Sequence, residues 1–303
     1  VLHEDLKPYF KEVAEDWFNN QKETWSSKHI SNVRASLDEL YIALANKRIN
    51  QIQAPEILQI IKKIEARGSL EIAKRTLSRC GMVMKYAIAH GYRYDNPAGD
   101  LVYALKNKRV KNLASLSASE MPEFLRRIKA YPTLDSRIGL QLLTLLFTRP
   151  SELREAKWEE FDLENALWTI PDFRMKKRRE HTIPLSKQAV QLLQELKNIH
   201  SESDYLFPSR SNKNKPKSDT VFIMALRRLG YEGRQTPHGF RHIASTILNN
   251  KGFDERHIES ALAHVKDGVA GVYNKAQYLE DRARLMQWYA DYLEELADMK
   301  VIQ

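Results

Sequence analysis

Arg149, Lys176, His238, Arg241, His264 and Tyr273 together supply what phosphoryl transfer needs: cationic donors for nonbridging oxygens, an attacking hydroxyl and a proton source for the leaving oxygen. The tightest cluster is Thr236-Pro237-His238-Gly239-Phe240-Arg241-His242. Thr236 suits a helix N-cap and Pro237 its first position, so His238 and Arg241, three apart, fall on nearly one face and reach one phosphate together. Arg149 sits in Thr148-Arg149-Pro150-Ser151-Glu152-Leu153, where Pro150 fixes a turn and Glu152 is placed to orient a basic group. Taken singly, each residue has an ordinary reading. Tyr273 after Gly271-Val272 is a packed aromatic, His264 after Leu262-Ala263 fills a core or a cap, and Arg149 with Glu152 is a structural ion pair.

These residues need elements to hold them, and the hydrophobic spacing indicates a mainly α protein with a small β-sheet. Up to about residue 110 the chain reads as helical, with stripes at Leu37, Leu40, Tyr41, Leu44, at Ile57, Leu58, Ile61, Ile64 and at Leu77, Cys80, Val83, Met84, Ala87. Their polar faces carry Lys62, Lys63, Arg67, Lys74, Arg75, Arg79 and Lys85. Asn96-Pro97 and Gly99 stop the third stripe, and a basic stretch with Lys106, Lys108, Arg109 and Lys111 runs into Ser115, Ser117 and Ser119, N-cap candidates before a helix from Pro122 to Lys129. The expected division is a helical domain over 1–107, a linker over 108–116 and a mixed α/β domain over 117–303. In the second, Leu167-Trp168-Thr169-Ile170 and His181-Thr182-Ile183-Pro184-Leu185 read as strands flanking the basic Arg174, Lys176, Lys177, Arg178 and Arg179. Helical pattern returns from Ser186 to Asn198, from Asp219 to Leu229, after Pro237 and from Tyr278 to Met299. The last stripe, with Leu279, Leu285, Met286, Tyr289, Leu293 and Leu296, suits either closure of the same core or docking on a neighbouring protomer.

The net charge of +9 favours a polyanionic partner. Val1 to Asn112 holds 19 basic and 13 acidic residues, leaving 29 and 26 for the remainder, so the smaller N-terminal part is denser in positive charge. Cys80 is the single cysteine, which excludes an internal disulfide and fits a reducing compartment. Neither zinc-ligand spacing nor paired metal-binding carboxylates stand out, which disfavours a metal-dependent nuclease.

Across almost its whole length the sequence resembles the tyrosine recombinases, specifically phage-P4-like integrases of prophages and genomic islands. The resemblance rests on Arg149-Pro150-Ser151-Glu152-Leu153, Met175-Lys176, Thr236 to His242, Leu262-Ala263-His264 and Gly271-Val272-Tyr273-Asn274-Lys275-Ala276, in that order and spacing. It implies a core-DNA-binding helical domain before a catalytic domain, and site-specific integration or excision through a 3′-phosphotyrosyl intermediate and a Holliday junction. By the same resemblance Arg149 and Arg241 clamp the phosphate, Lys176 is the general acid, His238 and His264 complete the pocket, Tyr273 is the nucleophile and Glu152 supports. Adjacent Lys177 takes the acid's place if the loop register differs. Lys62, Lys63, Lys74, Arg75, Arg79, Lys85, Lys108, Arg109, Lys177, Arg178 and Arg179 become candidate DNA contacts; Lys213, Lys215 and Lys217, in a Ser/Asn/Pro-containing loop, read by themselves either as added phosphate contacts or as solubility alone.

The implied cycle uses neither ATP nor a metal, and no other cofactor. Implied partners are double-stranded DNA attachment sites, a tetramer on paired sites, and accessory excision or DNA-bending proteins; no membrane is involved, and the setting is the bacterial cytoplasm. Many relatives begin with an arm-DNA-binding domain, and this chain is expected to start after it. One departure stands out. Relatives often carry a small residue before the first motif arginine's turn, where this chain has Leu146-Phe147-Thr148. The rival readings are a type IB topoisomerase and a DNA-binding module without chemistry.

Overall fold

The computed structural model describes residues 7–106, 114–175, 177–200, 202–264 and 278–298. The chain divides into two compact units, Val1–Val110 and Lys111–Gln303. The first holds helices α1 (Phe10–Gln21), α2 (Ser27–Leu44), α3 (Ala54–Ala66) and α4 (Leu70–Ala89). Helix α4 packs against the other three, and its Leu77, Cys80, Val83, Met84 and Ala87 are all buried, as a stripe of that spacing requires. Helix α1 contributes a fourth stripe of the same kind, Phe10, Val13, Ala14, Trp17 and Phe18. On α3 the buried face runs through Ile57, Ile60, Ile61 and Ile64, so Leu58 lies at its margin rather than inside. Caps close the helix starts: Ser26 Oγ accepts from His29 N–H at 3.3 Å, and the Glu56 carboxylate accepts from Gln53 N–H at 3.0 Å. Buried Arg93 donates to Ile49 C=O at 2.8 Å and pairs with Asp95 at 2.9 Å, fastening the segment after α4. Burial pushes the Cys80 thiol up to about 12, so it is inert at neutral pH.

The second unit contains α5 (Met121–Lys129), α6 (Leu134–Leu146), α7 (Pro150–Arg154), strands β1 (Phe161–Asp162), β2 (Leu167–Ile170) and β3 (His181–Pro184), then α8 (Lys187–Ile199), α9 (Val221–Arg228), α10 (Gly239–Asn250), α11 (Glu255–Ala261) and α12 (Leu279–Asp298). The strands form one antiparallel sheet in the order β1-β2-β3, with Trp168 opposite Ile183 and Ile170 opposite His181. β1 was not anticipated; two residues are too few to show alternation. Trp168 and Ile170 are buried, which fixes the face and therefore the register of β2. Ser117 begins the unit's first helical turn, its backbone N–H and hydroxyl both donating to Glu120 Oε2, at 2.9 and 2.8 Å.

Helix α12 settles the destination of the C-terminal stripe. Leu285, Met286, Tyr289, Leu293 and Leu296 are buried against α5, α6, α11 and β3 of the same unit. Among the described residues no helix is long and apolar enough to cross a membrane.

Candidate active site

Helix α6 is apolar almost throughout and ends abruptly at Phe147, whose φ of 38° and ψ of 36° are left-handed. That conformation ordinarily calls for glycine, and costs a side chain on the order of 1 kcal/mol. Phe147 is held there by its ring, which is fully buried and meets Tyr289 edge-on at 5.5 Å. The turn expected of a small residue is therefore kept by a large one. Two residues later Arg149 caps α7, and Glu152 serves it twice: Oε2 accepts the Arg149 backbone N–H at 2.8 Å and Oε1 accepts its Nη1 at 2.7 Å. Glu152 is buried, whereas the Arg149 side chain keeps a quarter of its surface exposed (25%), enough to meet a ligand.

The Thr236-Pro237 start works as its residue types require. Thr236 Oγ1 accepts Gly239 N–H at 3.0 Å, so the helical turn begins before α10 is fully formed. Gly239 is needed for closeness, since a Cβ there would stand 2.8 Å from the Ala114 carbonyl oxygen. Arg241, one turn on, is only 5% exposed. Its Nη1 donates to Phe147 C=O at 2.8 Å, and its Nη2 reaches Leu262 C=O at 2.5 Å and His264 Nε2 at 3.2 Å. Burial, then the charge of Arg149, lowers Arg241 to about 10, which leaves it protonated at neutral pH. His264 Nδ1 lies 3.2 Å from Glu259 Oε2, so the network assigns the proton to Nδ1 and leaves Nε2 to accept from Arg241. His238 keeps an exposed face, yet desolvation and the charges of Arg241 and Arg149 hold it below the usual histidine range.

Arg149, Glu152, Arg241 and His264 are thus joined through direct contacts or shared turns, and His238 lies within their field. Lys176 and Tyr273 lie outside the described residues, as do Lys108 and Arg109. Of the other cationic candidates, Lys63, Arg75, Lys85, Lys177, Arg178 and Arg179 are exposed. Lys62 is engaged with Glu65 at 2.7 Å, Arg75 with Glu71 at 3.0 Å and Arg79 with Asn32 C=O at 2.6 Å, and Lys74 is half-buried. Lys213 and Lys217 pair with Glu202 and Asp135.

Three further groups belong to the surroundings of this site and carry no motif. Arg282 of α12 is 4% exposed and donates to Thr182 C=O at 2.8 Å; its one sequence signal is a charge on an otherwise apolar stripe. His181, which opens β3, hydrogen-bonds the Ala261 backbone, and burial together with Arg282, Arg241 and Arg149 pushes it down to about 3. Arg174 contacts both carboxylate oxygens of Glu160 and donates to Glu152 C=O at 2.6 Å, while Trp168 Nε1 donates to Glu160 Oε2 at 3.0 Å.

The His181 arrangement has a sign that can be measured. Its folded value lies below the unfolded one near 6.5, so between them the unfolded chain binds the extra proton and stability falls with falling pH, by on the order of 1 kcal/mol per unit. Denaturant unfolding should therefore show a steeper loss from pH 7.5 to 5 for the wild-type chain than for His181→Gln. Equal slopes would mean that folding leaves the proton affinity of His181 unchanged.

Comparison with known proteins shows the family of the chain. Residues 114–280 match the profile of the phage integrase family, and residues 10–104 match the phage integrase central domain. The integrase of Shigella phage Sf6 is 35% identical over 290 residues, covering 94% of this chain and 75% of that protein. Prophage integrase IntS of Escherichia coli K12 is 36% identical over the same shares, and the integrase of Enterobacteria phage P4 is 36% identical over 94% of this chain and 69% of its own length. Among solved structures, a lambda integrase tetramer bound to a Holliday junction superposes with a TM-score of 0.68 at 18% identity, over 88% of this chain and 80% of that one. The Tn1549 transposon integrase with transposon right-end DNA also reaches 0.68, at 14% identity over 96% and 100%. With both parts of the chain matched and relatives above one-third identity along nearly all of it, the chain belongs to the phage integrase family of tyrosine recombinases.

Proposed function

We propose that this recombinase cuts and rejoins double-stranded DNA at specific attachment sites, integrating or excising a prophage or genomic island through a 3′-phosphotyrosyl intermediate. The observation that carries the reading is the seating of Arg241: a buried, protonated guanidinium tied at once to the turn before Arg149 and to His264. Such preorganised charge is what a phosphate gaining negative charge in its transition state requires. Tyr273 Oη attacks phosphorus, the bond to the 5′ oxygen breaks, and Lys176 gives that oxygen its proton. A neutral phenol is a poor nucleophile, with roughly one molecule in 1,000 ionised at pH 7, a handicap of about 4 kcal/mol. Two adjacent arginines favour the phenolate and the transition state together. One ester replaces another, so a 5′-hydroxyl from either strand reverses the step, and neither ATP nor a metal is called for. Exchange between two sites then passes through a Holliday junction on a tetramer. Exposed Lys63, Lys85, Lys177, Arg178 and Arg179 supply phosphate contacts.

The test is a library of nicked duplexes with random central sequence, which trap covalent product by losing the strand needed for rejoining. A denaturant-resistant adduct should form in the presence of chelator, map to the peptide containing Tyr273 and select a defined sequence. Adduct on another residue would refute the assignment. Supercoil relaxation with no sequence selection would favour the topoisomerase rival.

A further inference from the structure

The basic hairpin between β2 and β3 is largely exposed. Among its described residues over 171–180 only Met175 is buried; Pro171 and Arg174 are half-buried and the rest are exposed. Backbone hydrogen bonds among its described residues form local turns, Arg174 N–H to Pro171 C=O at 3.1 Å, Met175 N–H to Asp172 C=O at 3.0 Å and Arg178 N–H to Met175 C=O at 3.0 Å. Arg178 turns the chain back in a left-handed conformation, with φ of 51°. None of these bonds ties the hairpin to the Arg149 turn.

Arg174 does. Its side chain is 12% exposed and lies between two fixed acceptors. One is the Glu160 carboxylate, itself held by Trp168 of β2 at 3.0 Å. The other is the Glu152 carbonyl in the last turn of α7, an acceptor left without a helical partner there. Glu152 is the residue whose carboxylate grips Arg149. A single guanidinium fork therefore links the base of the hairpin to the residue that orients the phosphate clamp, and bidentate geometry makes that link directional.

We infer that Arg174 is a positioning residue for proton transfer, holding the hairpin that carries Lys176 in register with the Arg149–Glu152 turn. This rests on the reading of Lys176 as general acid. Glu152 and Arg149 have a link of their own that does not pass through Arg174. Loss of Arg174 leaves that link in place and removes the contact of the hairpin base with the Glu152 turn, so its effect falls on the acid more than on the clamp.

The distinction can be read chemically, by replacing the bridging 5′ oxygen of the scissile phosphate with sulfur. In both substrates the Tyr273 oxygen–phosphorus bond forms and the bond to the 5′ atom breaks. An oxygen leaving group must collect a proton, whereas a thiolate, with a reference pKa near 8.5, departs without one. Single-turnover cleavage would be measured on the nicked duplex selected by the wild-type chain, in oxygen and sulfur forms. Arg174→Gln should slow the oxygen substrate about 100-fold, as loss of a general acid does, and approach the wild-type rate on sulfur. Lys176→Ala should behave alike, and Arg149→Ala should stay slow on both. Because Arg174→Gln strands the buried Glu160 charge, the paired change Arg174→Met with Glu160→Gln is measured beside it, with thermal unfolding of each. A folded Arg174 variant that remains slow on sulfur while Lys176→Ala is rescued would overturn the inference alone. Failure of sulfur to rescue Lys176→Ala would overturn the general-acid reading and the inference with it.

Discussion

Tyr273→Phe is expected to eliminate covalent DNA–protein adduct while leaving noncovalent binding to the same duplex within about twofold of the wild-type chain, since it removes only a transition-state bond. The change deletes one oxygen and leaves the ring, the charge balance and the clamp of Arg149, Glu152 and Arg241 as they are. Hydrolysis cannot replace it effectively, because water would have to occupy the place of a tethered nucleophile and forfeit its effective concentration. Gel retardation and denaturing electrophoresis on one sample separate the two quantities. Persistence of adduct in Tyr273→Phe would assign the nucleophile elsewhere; loss of binding along with it would mean that the hydroxyl acts in recognition.

Arg241→Ala should be the most damaging single change among the described residues, on two counts. Losing one preorganised donor to a transition-state anion costs about 2.7–4 kcal/mol, or roughly two to three decades in cleavage rate. It also strands the Phe147 and Leu262 carbonyls, for which about 1–3 kcal/mol each is usual when a buried acceptor loses its partner. Against this stands relief from burying a charge that its surroundings already disfavour. Arg241→Lys separates the counts, for it keeps a cation but cannot reach three acceptors in one plane. A folded Arg241→Lys protein with cleavage down on the order of 100-fold is expected from single-turnover kinetics and thermal unfolding. A near-normal rate would show that charge alone suffices at this position.

Much of this site was legible in the sequence because its informative residues are close together. Thr236, Pro237, His238 and Arg241 lie within one helical turn, so capping rules and the three-residue spacing put both side chains near one point. Glu152 was readable in the same way, three residues from Arg149. The strands beside the basic hairpin were legible from their β-branched and aromatic content, and α12 from its period. Arg174, Glu160, His181 and Arg282 were not. Arg174 stands in a run of charges that reads as a solvated loop, and only the folded chain brings Glu160 and the Glu152 carbonyl to it. His181 and Arg282 are polar residues in apolar settings, and nothing local to either names the other as its neighbour. Phe147 runs against the residue preference of its own backbone conformation, and only its packing on Tyr289 explains why the turn survives.

That turn joins properties that usually vary independently. The amide of Phe147 ends α6, its ring seals the interior against α12, and its carbonyl seats Arg241. Tyr289 is fully buried and bears no resemblance to a reactive residue, yet it supports the ring that aims that carbonyl. The two positions are therefore coupled: a smaller ring at 289 that the interior would otherwise tolerate is answerable to the seat of Arg241, and the backbone freedom a glycine would bring to 147 arrives only with the loss of its packing.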